Sequence, residues 1–105
     1  MTAPQQIPEP ALEVVRSEER GRYELLVGGV LGGVAEFRLR SGRIVFTHTE
    51  IAAEVEGRGL GSHLAREALG DAASRGEVIV PVCPFMAAYL RRHTLPDAVI
   101  DWPEP

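Results

Sequence analysis

Three glycines at alternate positions, Gly57, Gly59 and Gly61, separate two stretches with different periods. Upstream, Arg43 to Ile51 alternates apolar and polar residues like a half-buried strand. Downstream, Leu60, Leu64, Ala65, Ala68, Leu69 and Ala72 form one apolar stripe of a helix over Leu60 to Arg75, and Gly76 supplies its stop. The join, Glu56-Gly57-Arg58-Gly59-Leu60-Gly61-Ser62, is therefore a glycine-rich turn that opens a helix. Backbone N–H groups converge at such a turn and the positive end of the helix dipole reinforces them, so it suits an anion, above all a phosphate. A tight strand-to-helix connection that uses glycine for geometry alone has the same spacing. A Rossmann dinucleotide fingerprint does not fit, because the third glycine falls one position early and no βαβ unit precedes it.

The remaining chain reads as strands first and helices later. Met1 to Pro10 carries three prolines and a single large apolar residue, Ile7, which predicts a flexible tail ahead of one domain over 11–105. Leu12 to Ser17 and Tyr23 to Val27 predict two strands joined by the charged turn Glu18 to Arg22. Gly28-Gly29 marks the next turn, with Gly32-Gly33 leaving its boundary open. Ala35, Phe37 and Leu39 then alternate with Glu36, Arg38 and Arg40, and Ser41-Gly42 is a hairpin signal. On the returning strand a period of two puts Ile44, Phe46 and His48 on one face and Val45, Thr47 and Thr49 on the other.

After the long helix, Val78 to Val82 is a short apolar run of the kind buried on both faces, expected to pair in parallel with the strand before the helix. Pro84 suits the first turn of a second helix to about His93, with Phe85, Ala88 and Tyr89 as its inner face. Ala98 to Ile100 predicts a last short strand and Trp102 the cover of a core edge. The sum is an α+β fold, a mixed sheet with an N-terminal antiparallel meander of four strands, then β-α-β and a second helix.

Charge and composition exclude several functions. The net charge of −4 and the lack of any basic run argue against a nucleic-acid binder. The lone Cys83 allows no intramolecular disulfide and no cysteine zinc cluster, and the three histidines show no metal-ligand spacing. No apolar run is long enough to span a bilayer and the N-terminus lacks a signal-peptide pattern, so a cytoplasmic location and no membrane partner are expected.

Two stretches together carry a family resemblance. His48-Thr49-Glu50 followed by Glu56-Gly57-Arg58-Gly59-Leu60-Gly61-Ser62-His63-Leu64 resembles the acyl-CoA signature of the GNAT N-acetyltransferase superfamily. Val80-Pro81-Val82-Cys83-Pro84-Phe85-Met86-Ala87-Ala88-Tyr89-Leu90-Arg91-Arg92-His93 is similar to the short, stand-alone branch of that superfamily and is the more diagnostic of the two. The resemblance covers nearly the whole chain after the tail. Gly59 and Gly61 match the superfamily's loop, whereas Glu56 stands where glutamine or arginine is usual. A carboxylate beside a diphosphate is unfavourable unless it faces solvent, and Arg58 is placed to offset it.

The resemblance implies a fold and a set of roles. Acetyl-CoA would be the acyl donor, its diphosphate held by the backbone from Gly57 through Arg58, Gly59, Leu60 and Gly61 to Ser62, beside Glu56. Pantetheine would pair with the strand edge at Ile51 and Ala53, while Pro84, Phe85, Tyr89 and Arg92 would face the CoA arm. The thioester would lie beside Cys83, which then has two readings, acyl-accepting nucleophile or pocket lining. His48, with Glu50 on its face, is the candidate general base. Only about five residues separate the first two strands, so no helices wall the acceptor side, which suits a flexible protein segment, a peptide or a polyamine. The function implied is acetyl transfer from acetyl-CoA to an amine, without a metal, by a monomer or weak dimer. The alternatives are a non-catalytic acyl-CoA-binding or sensing module and, more remotely, a general nucleotide-binding domain.

Overall fold

The computed structural model describes residues 11–104, and the expected N-terminal tail lies outside the described residues. Its elements follow in order: β1 (Leu12–Ser17), β2 (Arg22–Val27), β3 (Val30–Arg40), β4 (Arg43–Ile51), a 3-10 turn (Ala53–Val55), α1 (Leu60–Ser74), β5 (Val78–Pro81) and α2 (Pro84–Arg92). The five strands form one sheet in the order β1-β2-β3-β4-β5. β1 to β4 are antiparallel and β5 runs parallel to β4. This is the predicted α+β mixed sheet. Ser41 and Gly42, with φ of 48° and 82°, make the tight turn between β3 and β4 that their types anticipate.

The core lies between one face of the sheet and both helices. Tyr23, Leu25, Ala35, Phe37, Ile44, Phe46 and Ile79 point from the strands to the six buried α1 residues of the predicted stripe, Leu60, Leu64, Ala65, Ala68, Leu69 and Ala72. Met86, Tyr89 and Leu90 of α2 join the same cluster. Gly70 interrupts α1 without being needed by any neighbour, since a Cβ there would meet nothing within 4 Å.

The structure corrects three sequence expectations. β5 is not buried on both faces: Ile79 and Pro81 are buried, while Val78 and Val80 are half-buried and Val82 is exposed. Its second face belongs to a side of the sheet that neither helix covers. The inner face of α2 is also shifted, to Met86, Ala87, Tyr89 and Leu90, leaving Phe85 exposed and Ala88 half-buried. Almost every residue from 85 to 90 is apolar, so periodicity selects no face there.

The third correction lies in β4. The β3–β4 register runs Glu36↔His48 and then Phe37↔Phe46, so Thr47 is an extra residue in β4. Such a bulge shifts the alternation by one. Phe46 and Thr49 therefore share the helix-covered side, and His48 turns to the uncovered one with Glu50 instead of following Ile44 and Phe46.

The C-terminal segment closes the far edge of β5. Ile100 bridges to Ile79, the Ile79 N–H donates to the Val99 carbonyl at 2.9 Å, and the Asp101 N–H donates to the Ile79 carbonyl at 2.8 Å. Arg43 pairs with Asp101, and the Arg91 guanidinium lies 5.0 Å from the Trp102 ring centroid. The predicted last strand is thus a single bridge, and Trp102, 43% exposed, packs under Arg91.

Candidate active site

The parallel β4–β5 ladder is short, and its end defines the site. Pairing stops at Phe46↔Pro81, after which the Cys83 N–H donates to the Phe46 carbonyl at 2.8 Å. From His48 to Ile51, β4 pairs with β3 alone among the described strands. The N-terminus of α1 and the start of α2 face each other at that end, where Gly61 lies against the Phe85 ring.

The glycine turn has the geometry its sequence predicts. Gly57 and Gly59 have φ of 84° and 72°, and nothing would lie within 4 Å of a Cβ at either. Gly59 is the N-cap of α1, so the cap carries no side chain and makes no side-chain hydrogen bond. No acidic residue occupies the first turn of the helix. The His63 N–H donates to the Gly59 carbonyl at 3.2 Å and is the first to close a helical bond. The start of α1 is therefore an uncapped positive dipole end behind an open glycine turn, an arrangement that suits an anionic ligand.

The residues expected around that ligand fall into three groups. Glu56, Gly57, Arg58, Gly59 and Ser62 are exposed, with Leu60 buried beneath them. Ser62, Phe85, Tyr89 and Arg92 come together from the two helices to line a cavity of about 200 Å³, together with Ala88 and His93. His93 stacks on Tyr89 with ring centroids 4.3 Å apart, a partnership that sequence spacing did not reveal. Ile51 ends β4, packs against the core and lies near Gly61. Ala53, by contrast, belongs to the 3-10 turn rather than to the strand edge. Pro84 is the first residue of α2, where its fixed φ suits a helix start.

The three candidate catalytic residues divide between the two faces. His48 Nε2 lies 3.1 Å from Glu50 Oε1, and both side chains are mostly exposed on the uncovered side. A carboxylate only accepts, so in this contact Nε2–H is the donor and Nδ1 is not engaged by Glu50. Cys83 is buried, and its sulfur lies 3.3 Å from the Thr49 hydroxyl. Thr49 was missed by sequence reasoning because an unbroken alternation hides it on the wrong face. The thiol is thus paired with a hydroxyl and not with an imidazole, and Cys83 is the N-cap residue of α2.

Gly33 supports this end of β4 from behind. A Cβ there would stand 2.7 Å from Ile51 Cδ1 and 3.0 Å from the Glu50 carbonyl oxygen, so a side chain at this position would have to displace Ile51 and crowd the β4 backbone. Among the described residues no group of three or more His, Cys, Asp or Glu side chains could hold a metal ion. No helix among them is long and apolar enough to cross a membrane.

These features define an α+β domain with a glycine turn and an uncapped helix start where its last two strands part. The GCN5-related N-acetyl-transferase family model matches residues 22–98, and the chain belongs to that family. A search of curated proteins finds no match.

Proposed function

We propose that the protein transfers an acetyl group from acetyl-CoA to an amine. The observation that carries this reading is the uncapped start of α1 behind the open turn of Gly57 and Gly59, set at the point where the β4–β5 ladder ends. Backbone N–H groups from Gly57 to Ser62 bind the diphosphate, and Phe85, Tyr89 and Arg92 receive the rest of the CoA arm. The free edge of β4 at Ile51 offers backbone groups to pantetheine in the manner of an added strand. Bound acetyl-CoA supplies an activated acyl thioester.

His48 accepts the proton of the acceptor amine at Nδ1, and Glu50 fixes the ring through its contact with Nε2. Holding amine and acyl group together supplies much of the acceleration. Cys83 lines the acyl end of the site, held by Thr49. Its burial and its distance from any base argue against an obligatory acyl-cysteine.

Thermal shift tests the ligand: CoA and acetyl-CoA raise the melting temperature, while ATP and NAD do not. Release of free CoA in the presence of an amine pool tests the activity. CoA binding without release under any amine would instead favour an acyl-CoA sensor. The chain contains no lysine, so an acetyl adduct on the protein itself falls on its N-terminal amine or on Cys83, which hydroxylamine distinguishes. Cys83→Ala is expected to keep turning over. Glu56→Arg is expected to tighten CoA binding if the carboxylate faces the phosphates, and equal affinity places it in solvent.

A further inference from the structure

The uncovered side of the sheet carries a concavity of about 280 Å³ lined by Glu36 and Glu50, the cross-strand neighbour and the hydrogen-bond partner of His48. Its floor is the β3 backbone at Gly32 and Gly33 with Val34, and Leu31 and the Arg22 side chain also line it. The register places Glu36 directly opposite His48 and Val34 directly opposite Glu50. Side chains so placed are about 5 Å apart across the ladder and about 7–8 Å apart on the diagonal. An apolar floor bordered by two carboxylates matches a cation on a methylene stem.

The neighbouring charges decide which cation. Arg22 faces Glu36 across the β2–β3 ladder, but its guanidinium is bound to Glu24 at 2.8–2.9 Å, and Arg20 reaches the same carboxylate at 3.2 Å. These hydrogen bonds, first of all that from Arg22, hold Glu24 below the usual carboxylate range and direct the Arg22 guanidinium to Glu24, and among the described residues Glu36 makes no ion pair. Toward the β3–β4 turn the same face presents Arg38 and Arg40, both exposed. The negative ground is therefore short. It suits a small linear cation, and it repels the flanks of a basic peptide laid along the strands.

Resting on the transferase reading, we propose that this surface docks the acceptor, and that the acceptor is a linear diamine or polyamine. One amine reaches His48 and Glu50 at the β4 edge, the methylenes lie over Val34, and Glu36, one strand further in, binds the second ammonium. Glu36 is thus the residue that distinguishes a diamine from a monoamine of the same length.

The test compares 1,4-diaminobutane with n-butylamine as acceptors, together with backbone NMR of the CoA-bound protein titrated with the diamine. The diamine is expected to show a kcat/KM about fivefold higher, the size of one exposed charge pair. Glu36→Gln is expected to remove most of that preference through KM, and Glu13→Gln on β1 to leave it intact. The diamine should shift Val34, Glu36, His48 and Glu50 amides in the wild type and much less in Glu36→Gln. Turnover without a diamine preference, a preference unchanged by Glu36→Gln, or a basic peptide that outcompetes the diamine would overturn the inference and leave the transferase reading standing. An NMR footprint at these residues without transfer to any amine would do the reverse.

Discussion

Removing the Glu77 carboxylate should be the most damaging single change at the surface of this domain. Glu77, in the connection between α1 and β5, binds Arg16 of β1 through two parallel bonds of 2.8 Å. The Arg16 side chain is only 5% exposed, and its guanidinium lies 5.1 Å and 5.6 Å from the Phe37 and Tyr23 ring centroids. It is held above its already high ordinary pKa, first by Glu77, so it stays charged at every accessible pH. Breaking a buried ion pair on one side costs about 3–5 kcal/mol, because the remaining charge is left without its counterion. Here Arg16 keeps the Tyr23 hydroxyl at 3.0 Å and Glu18 at 3.1 Å, which places the cost of Glu77→Ala at the lower end, about 3 kcal/mol. For a domain of this size that is a fall of roughly 12–24 °C in Tm. Urea denaturation followed by circular dichroism measures it, with the m-value as a check that the unfolded state is unchanged. The companion is Arg16→Met with Glu77→Leu, which removes both charges and should recover at least half of the loss. A cost below about 1 kcal/mol for Glu77→Ala, or a double variant weaker than the single one, would refute the claim that the penalty comes from a stranded cation.

Three further outcomes are expected. Tyr23 donates to Asp71 at 2.6 Å, and burial pushes the Asp71 carboxyl up while the Tyr23 hydroxyl and Arg75 outweigh it and leave it below 3.8. Asp71 thus stabilises the fold fully above its unfolded value and loses this as pH falls through the lower folded one. Tyr23, raised above 10.0 by burial and then by Asp71, contributes fully below that value and loses it at higher pH. Tyr23→Phe should therefore cost about 2 kcal/mol in a plateau between about pH 5 and 9, with the gap from wild type narrowing on both sides in denaturation series. Gly70→Ala should stabilise by about 1 kcal/mol, since the helix interior gains propensity and the new methyl meets nothing, and a Tm below wild type would contradict this. Gly61→Ala would place a Cβ 2.9 Å from Phe85 Cζ and 3.7 Å from Ile51 Cγ1, so it should displace the ring. By calorimetric titration CoA affinity should fall about tenfold while stability changes by less than about 1 kcal/mol. Unchanged affinity would remove Phe85 from the ligand site.

The fold was legible wherever one period ran without interruption. All six residues of the α1 stripe are buried, the Ser41-Gly42 turn falls where its types place it, and the parallel partner of β4 is the strand after α1. Legibility failed where a pattern was saturated or broken. Nearly every residue of α2 from Phe85 to Leu90 is apolar, so the burial of Met86 and Leu90 in place of Phe85 depends on tertiary packing alone. The run Val78–Val82 reads as doubly buried only if something covers its second face, and a chain that passes from β1 to β2 in one turn has no helix there to do so. The Arg16–Glu77 pair spans 61 residues, and no local pattern marks an arginine for burial.

In the site, the glycine turn was readable because positive φ and an uncapped helix start are demanded locally by residue type. The division of the catalytic candidates was not, because it depends on a single inserted residue. Were Thr47 itself paired in unbroken alternation, His48 would follow Phe46 to the helix-covered side, toward Cys83, and an imidazole–thiol pair would be the natural expectation. With the bulge, Thr49 meets the thiol, while His48 and Glu50 open onto the surface that carries Glu36. In the proposed reaction the bulge separates the two jobs of a transferase: the acyl end is assigned to the packed side beside Cys83, and the proton acceptor to the open side, from which an amine would arrive. Deleting Thr47 should keep that division, because the extra residue is the one removed: Phe46 stays opposite Phe37, His48 stays opposite Glu36 on the open side, and Thr49 stays on the side of Cys83. Amine transfer should therefore survive the deletion. Its loss in a variant whose Tm CoA still raises would mean that the local bend of the bulge, and not only the face of His48, matters to the reaction.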